Sequence, residues 1–209
     1  MNIIAQQLGK RFQRDWIFKQ LDYTFEAGTV YAITGANGSG KSTLLQTLSG
    51  VVPATEGQIQ YIHDNQAVSP DNVYQHISIT APYLELIEEF TLQEMLNFHW
   101  KFKRLRLPIP QDELLEKIQL PKARHKIIAH FSSGMKQRLK LAVAMLADTP
   151  VLLLDEPTTN MDLRGIDWYR HEVQQHLAGR LVMICSNQPY EYDFAQAQIC
   201  ITDYQPQAK

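Results

Sequence analysis

Cysteine is scarce. Cys185 and Cys200 are the only two in 209 residues, and both fall inside apolar, strand-like runs, which reads as buried reduced thiols and not as a disulfide framework. The seven histidines show no metal-ligand spacing. Long hydrophobic runs are missing too: the longest candidate, 139–154, is broken by Lys140 and Asp148, whereas a spanning helix needs about 20 apolar residues. The start, Met1-Asn2-Ile3-Ile4-Ala5-Gln6-Gln7, lacks the basic and apolar regions of a secretion signal. Charge of one sign is also lacking. A formal net charge of -2 without a Lys/Arg run leaves no electrostatic footprint for nucleic acid. These absences predict a cytoplasmic globular chain of one large domain or two small ones, with 44% hydrophobic residues to build a core.

What is present begins with glycine. Gly35-Ala36-Asn37-Gly38-Ser39-Gly40-Lys41-Ser42-Thr43 fits G-x-x-x-x-G-K-[ST], a loop whose backbone N–H groups cradle the phosphates of ATP or GTP. Glycines let the backbone crowd the phosphates, Lys41 brings a point charge to the terminal ones, and the Ser42 hydroxyl suits Mg²⁺. The flanks agree. The β-branched and aromatic run 29–34 predicts a strand into the loop, and 43–48 a short helix that Gly50 ends.

A second apolar run, Val151-Leu152-Leu153-Leu154, ends in Asp155 and Glu156. It reads as a parallel strand buried on both faces, with its C-terminal end at a ligand crevice. Asp155 then reaches Mg²⁺ directly or through water, and Glu156, one residue on, points elsewhere and is placed to polarise an attacking water. Between the two motifs, Phe131-Ser132-Ser133-Gly134-Met135 opens a helical pattern through Leu139, Ala142, Val143 and Leu146, with Ser133 as the expected cap.

At this point the chain resembles the ATP-binding cassette family, whose signature LSGGQ here reads FSSGM and whose D-loop is matched by Pro157-Thr158-Thr159-Asn160-Met161-Asp162. The order and spacing of elements fit from Phe12 to Asn187. The resemblance implies an α/β fold: a P-loop NTPase parallel sheet flanked by helices, an N-terminal antiparallel β subdomain, and an inserted α-helical subdomain at about 83–133. It implies ATP and Mg²⁺ as ligands, with Gly35, Asn37, Gly38, Ser39, Gly40, Lys41, Ser42 and Thr43 on the phosphates, Ser42 and Asp155 on the metal, and Lys41 and Glu156 as the catalytic pair. It further implies two cassettes, expected to be a homodimer, closing head to tail around two nucleotides, with Ser132, Ser133, Gly134, Met135 and Asp162 reaching the partner's ATP. Adenine is expected to stack on Phe12, with Trp16 a second candidate. A separate membrane permease is the implied partner, holding the chain at the inner face of the membrane. The compact length resembles the ATP-binding subunit of haem exporters.

Three positions depart from the family pattern. Pro82 stands where a Mg²⁺-touching glutamine is expected, with Glu85 as a substitute; Asn187 replaces a histidine that contacts the γ-phosphate and is expected to bind ATP there, donating a hydrogen bond to phosphate without a positive charge; Met135 replaces the signature glutamine. Slow hydrolysis is therefore expected. The alternative is a nucleotide-gated regulatory module with vestigial hydrolysis, against which Glu156 argues.

In the insertion, Phe90 to Met95 carries a capping box, Thr91 with Glu94, and a hydrophobic staple, Phe90 with Met95. A helix is predicted through Phe102 and a second over 111–120, with Phe98 and Phe102 on one face and Trp100 on the other. The tail 205–209 carries no signal beyond fraying.

Overall fold

The computed structural model describes residues 1–206. Strands β1 (Asn2–Phe12) and β2 (Asp15–Phe25) pair antiparallel, as the alternation of Leu21, Tyr23 and Phe25 with polar residues requires. Strand β3 (Val30–Thr34) enters the glycine-rich loop, and helix α1 (Lys41–Leu48) leaves it. Then β4 (Glu56–His63) and β5 (Gln66–Val68) complete a four-stranded sheet of order β2-β1-β4-β5. The rest of the chain supplies β6 (Ile77–Thr80), α2 (Leu92–His99), α3 (Gln111–Lys117), α4 (Ser133–Leu146), β7 (Val151–Asp155), α5 (Leu163–Gln175), β8 (Leu181–Cys185) and β9 (Ala197–Cys200). Strands β6-β7-β8-β3-β9 form one sheet, parallel at every pairing.

Helices and strands cover both faces of that parallel sheet, so its strands are apolar throughout. Alternation along β7 sorts the faces. Val151 and Leu153 join the core that α1 and the antiparallel sheet close with Leu44, Leu45, Leu48, Phe18 and Phe25. Leu152 and Leu154 face α4 and α5, against Leu141, Met145, Trp168 and Tyr169. Asp155, next in register with Leu153, therefore emerges on the α1 side. A third cluster gathers Leu92, Leu96, Leu114, Leu115 and Ile118 from the insertion with Leu139, Ala142 and Val143 of α4.

Several boundaries differ from the sequence expectation. Helix α1 starts at Lys41, because Gly40 at φ +104° ends the loop there, and Gly50 at φ +78° follows its C-terminus. Ser132, not Ser133, caps α4, accepting the Met135 N–H at 3.2 Å. Helix α2 stops at His99, with Phe102 in the turns beyond it, and α3 stops at Lys117, after which Gln119 takes φ +55°. Cys185 is buried but Cys200 is only half-buried, since β9 lies at the sheet edge. Gln205 is anchored, donating to the Ser39 carbonyl at 2.9 Å; 207–209 lie outside the described residues.

The capping box forms as read: the Glu94 carboxylate accepts the Thr91 N–H at 2.8 Å, and the Thr91 hydroxyl accepts the Glu94 N–H at 3.3 Å. Thr91→Ala is expected to lower stability by about 1 kcal/mol in denaturant titration, with an unchanged m-value.

Candidate functional site

Everything in the site hangs on the C-terminal ends of β3, β7 and β8, adjacent strands whose ends open on one crevice. Gly35, Gly38 and Gly40 all take positive φ. At Gly40 a Cβ would come within 2.2 Å of Ile17 Cγ2, so the loop fits under β2 only with glycine there. Leu44 makes the first helical hydrogen bond, N–H to the Gly40 carbonyl at 2.8 Å. The amides before it carry the positive end of the α1 dipole. Lys41 Nζ is folded across the loop, donating to the Gly35 and Ala36 carbonyls at 2.8 and 3.1 Å.

Below the loop, Asp155 is 1% exposed, and neither carboxylate oxygen has a hydrogen-bond partner among the described residues. Burial is the chief cause that raises its carboxyl to about 6; the neighbouring Ser42 hydroxyl and the Lys41 charge oppose the rise, and the Glu156 and Glu191 charges add to it. A buried acid without a donor is costly unless something cationic meets it, and a hard divalent cation that takes carboxylate and hydroxyl oxygen suits this pair of Asp155 and Ser42. Cys185 reaches the same place from β8, its thiol 3.6 Å from the Lys41 carbonyl and held well above the ordinary range by burial.

Glu156 leaves the strand alternation through φ +44°, a left-handed conformation unusual for glutamate. Its N–H still bonds the Cys185 carbonyl at 2.8 Å, and its Oε2 accepts the Thr159 hydroxyl at 3.3 Å. The carboxylate thereby lines two adjoining hollows. One, of about 190 Å³, is bounded by Ile17, Asn37, Gly38, Gly40, Lys41, Ser42 and Thr43. The other, of about 220 Å³, runs on past Thr159, Asn187 and Glu191. Asn37 borders both, and its side-chain oxygen accepts the Asn187 amide at 2.6 Å.

Other residues singled out in the sequence lie apart from these hollows. Ser132 and Ser133 are exposed, Gly134 and Met135 half-buried, and none lines either hollow. Asp162 is exposed and caps α5 through the Gly165 N–H at 2.8 Å. Phe12 stands 48% exposed at the end of β1, with the Lys10 ammonium 4.8 Å from its ring centroid. Trp16 is less open, flanked by Lys19 and Arg11 at 4.2 and 5.1 Å.

Around Pro82 the chain makes a turn, Leu84 N–H to the Ala81 carbonyl at 3.2 Å, and Lys140 Nζ donates to the carbonyls of Ala81, Pro82 and Leu84 at 3.2 to 3.5 Å. Glu85 is exposed and bonds nothing among the described residues. The side chain of this turn that feels the site is Tyr83: burial raises its phenol pKa, a Gln46 hydrogen bond opposes this, and the Asp155 charge adds to it. Ile17, Tyr83 and Glu191 escaped the sequence reading, because nothing in their local pattern distinguishes them from strand, turn or loop residues; Thr159 entered it only as part of the D-loop match.

The comparisons with known proteins agree with this geometry. A family described as ABC transporter matches residues 18–159. The uncharacterized ABC transporter ATP-binding protein YybJ of Bacillus subtilis is 30% identical, over 86% of this chain and 83% of its own. The cytochrome c biogenesis ATP-binding export protein CcmA of Agrobacterium fabrum is 29% identical, over 94% and 93%. Among solved structures, a Pyrococcus furiosus protein described as a putative ABC transporter ATP-binding protein superimposes with a TM-score of 0.81 at 19% identity, over 99% of this chain and 100% of its own, a likeness of fold.

Proposed function

Because the chain belongs to the ABC transporter family, we propose that it is an ATP-binding and hydrolysing subunit that closes head to tail with a second copy around two Mg-ATP and drives a permease carried on a separate chain. No helix among the described residues is long and apolar enough to cross a membrane, so the chain would work at the cytoplasmic face through that permease. The observation that carries the reading is the buried Asp155 carboxylate, without a hydrogen-bond partner, beneath a hollow that Lys41, Ser42 and Glu156 line together.

The glycine-loop amides and Lys41 would hold the phosphates, Lys41 exchanging its loop carbonyls for phosphate oxygens. Asp155 and the Ser42 hydroxyl would hold Mg²⁺, which supplies charge neutralisation on the phosphates when bound. Glu156 would orient the attacking water and accept its proton. The exposed Ser132, Ser133, Gly134 and Met135, with Asp162, would complete the site of the second copy, since they line nothing in their own. ATP closes such a pair where ADP does not, because only the γ-phosphate reaches the capped start of α4. Pro82, Met135 and Asn187 alter three polar contacts, Asn187 keeping a donor but no charge, and turnover is expected to be slow.

Phosphate release by the purified chain with Mg-ATP, followed alongside its oligomeric state, tests the proposal. Slow release with an ATP-dependent dimer is expected; binding without release or dimerisation would favour a nucleotide-gated regulatory module instead. Phe12→Ala is expected to weaken ATP binding roughly tenfold by calorimetry while leaving inorganic triphosphate binding unchanged, as lost base stacking requires. Equal weakening of both ligands would remove Phe12 from the adenine.

A further inference from the structure

Glu191 lies in the short turn Pro189–Glu191 after β8 and is 2% exposed. Its Oε1 accepts the Thr158 N–H at 2.8 Å and also the Thr158 hydroxyl. Its main-chain carbonyl accepts the Tyr169 hydroxyl of α5 at 2.9 Å. Oε2 is buried without a hydrogen-bond partner, and no lysine or arginine pairs with the carboxylate among the described residues. An acid so placed costs stability that a neutral residue would not. It also lines the hollow that Glu156 and Asn187 share.

Thr158 is two residues beyond Glu156. The turn between them is closed by Thr159 N–H on the Glu156 carbonyl at 3.1 Å, and its other side is held by Gln137 of α4, whose amide donates to the Pro157 carbonyl at 2.8 Å. Glu156 bonds Cys185 at the end of β8 through its N–H but makes no hydrogen bond to the wall formed by 186–191; Thr158 provides that tie through Glu191, with the Tyr190 hydroxyl 3.4 Å from its own.

We propose that Glu191 is a positioning residue for the hydrolytic step: by clamping Thr158 it fixes where the Glu156 carboxylate points, and it makes the turn after β7 and the segment carrying Asn187 move as one wall. The proposal rests on the hydrolytic reading given above. A displaced general base about 1 Å from its productive place loses on the order of a hundredfold in rate.

Steady-state kinetics on Glu191→Ala, Glu191→Gln and each combined with Glu156→Gln test it. In Glu191→Ala, kcat is expected to fall roughly 10- to 100-fold with KM for ATP within about twofold, and Glu191→Gln, which keeps an acceptor for Thr158, to recover most of the rate. In the Glu156→Gln background Glu191→Ala should cost nothing further, because it acts through Glu156. Full additivity, or an unchanged kcat in Glu191→Ala, overturns the proposal. Amide hydrogen exchange without nucleotide gives a readout that does not need turnover: residues 158–161 should exchange faster in Glu191→Ala and at the wild-type rate in Glu191→Gln. Unchanged exchange in both overturns the clamp. A wild-type chain that releases no phosphate while the exchange difference holds would sink the hydrolytic reading and leave the clamp standing. Should Glu191→Ala not fold, Thr158→Val, which removes only the hydroxyl, is expected to show the same non-additivity at smaller amplitude.

Discussion

Glu156→Gln is expected to lower phosphate release from Mg-ATP by on the order of 10²- to 10⁴-fold, the range that loss of a positioned general base produces, and to leave nucleotide binding intact. The exchange is isosteric, and the amide oxygen can still accept from the Thr159 hydroxyl that Oε2 now holds at 3.3 Å. Backbone strain at φ +44° is shared by both residues, so folding should not discriminate between them. What glutamine lacks is a lone pair basic enough to take a proton. If hydrolysis is what opens the closed pair, the variant should also accumulate as an ATP-bound dimer by light scattering, while the wild type cycles through it. A variant that hydrolyses at the wild-type rate would assign the water to another group, and the other acid lining the same hollow is Glu191, whose Oε2 has no hydrogen-bond partner.

The strands and the phosphate loop were legible in the sequence for a plain reason: residues buried on both faces of a parallel sheet must all be apolar, and only glycine reaches the φ values around Lys41. Asp155 and Glu156 declared themselves by ending such a run. The α2 capping box was legible because its two partners are three residues apart and local chemistry decides it. Where the reading failed, the deciding contact was distant. Helix α2 ends before Phe102, with Trp100 packed on the insertion core and Phe102 outside it at 72% exposure. Glu191 is 33 residues from Thr158, Tyr83 far along the chain from Asp155, and Ile17 from Gly40. No local period encodes those meetings. The choice of Ser133 over Ser132 as cap failed for a smaller reason, since two adjacent serines offer the same hydroxyl and only the backbone angle of Ser132, in the extended region, admits it to the Met135 N–H.

Asp155→Asn is expected to have opposite effects with and without ligand, and that crossing tests whether Asp155 holds the metal. In the free protein the carboxyl is raised from 3.8 to about 6 by burial. A folded-state value above the unfolded one means that the folded form holds the proton more tightly, so ionising the group costs stability. That cost is absent below about pH 4, grows through the window up to about 6, and is complete above it, where it amounts to at most about 3 kcal/mol. Asparagine, which never ionises, escapes it. Without nucleotide or magnesium at pH 7.5 the variant should therefore melt higher than the wild type, by roughly 3 to 10 °C for a chain of this size, and the gain should vanish as the pH falls toward 4. Saturating Mg-ATP reverses the order. A ligand at a thousand times its Kd stabilises the wild type by about 4.1 kcal/mol, more than the ionisation costs, and the variant, having lost the carboxylate proposed to meet the cation, should gain far less. Wild-type affinity for Mg-ATP should itself weaken as the pH drops through 6, because a protonated carboxyl cannot ligate. Should Asp155→Asn melt lower than the wild type in the free protein at pH 7.5, the carboxylate would have to be satisfied within the fold, and the argument for a cation at this position would fail with it.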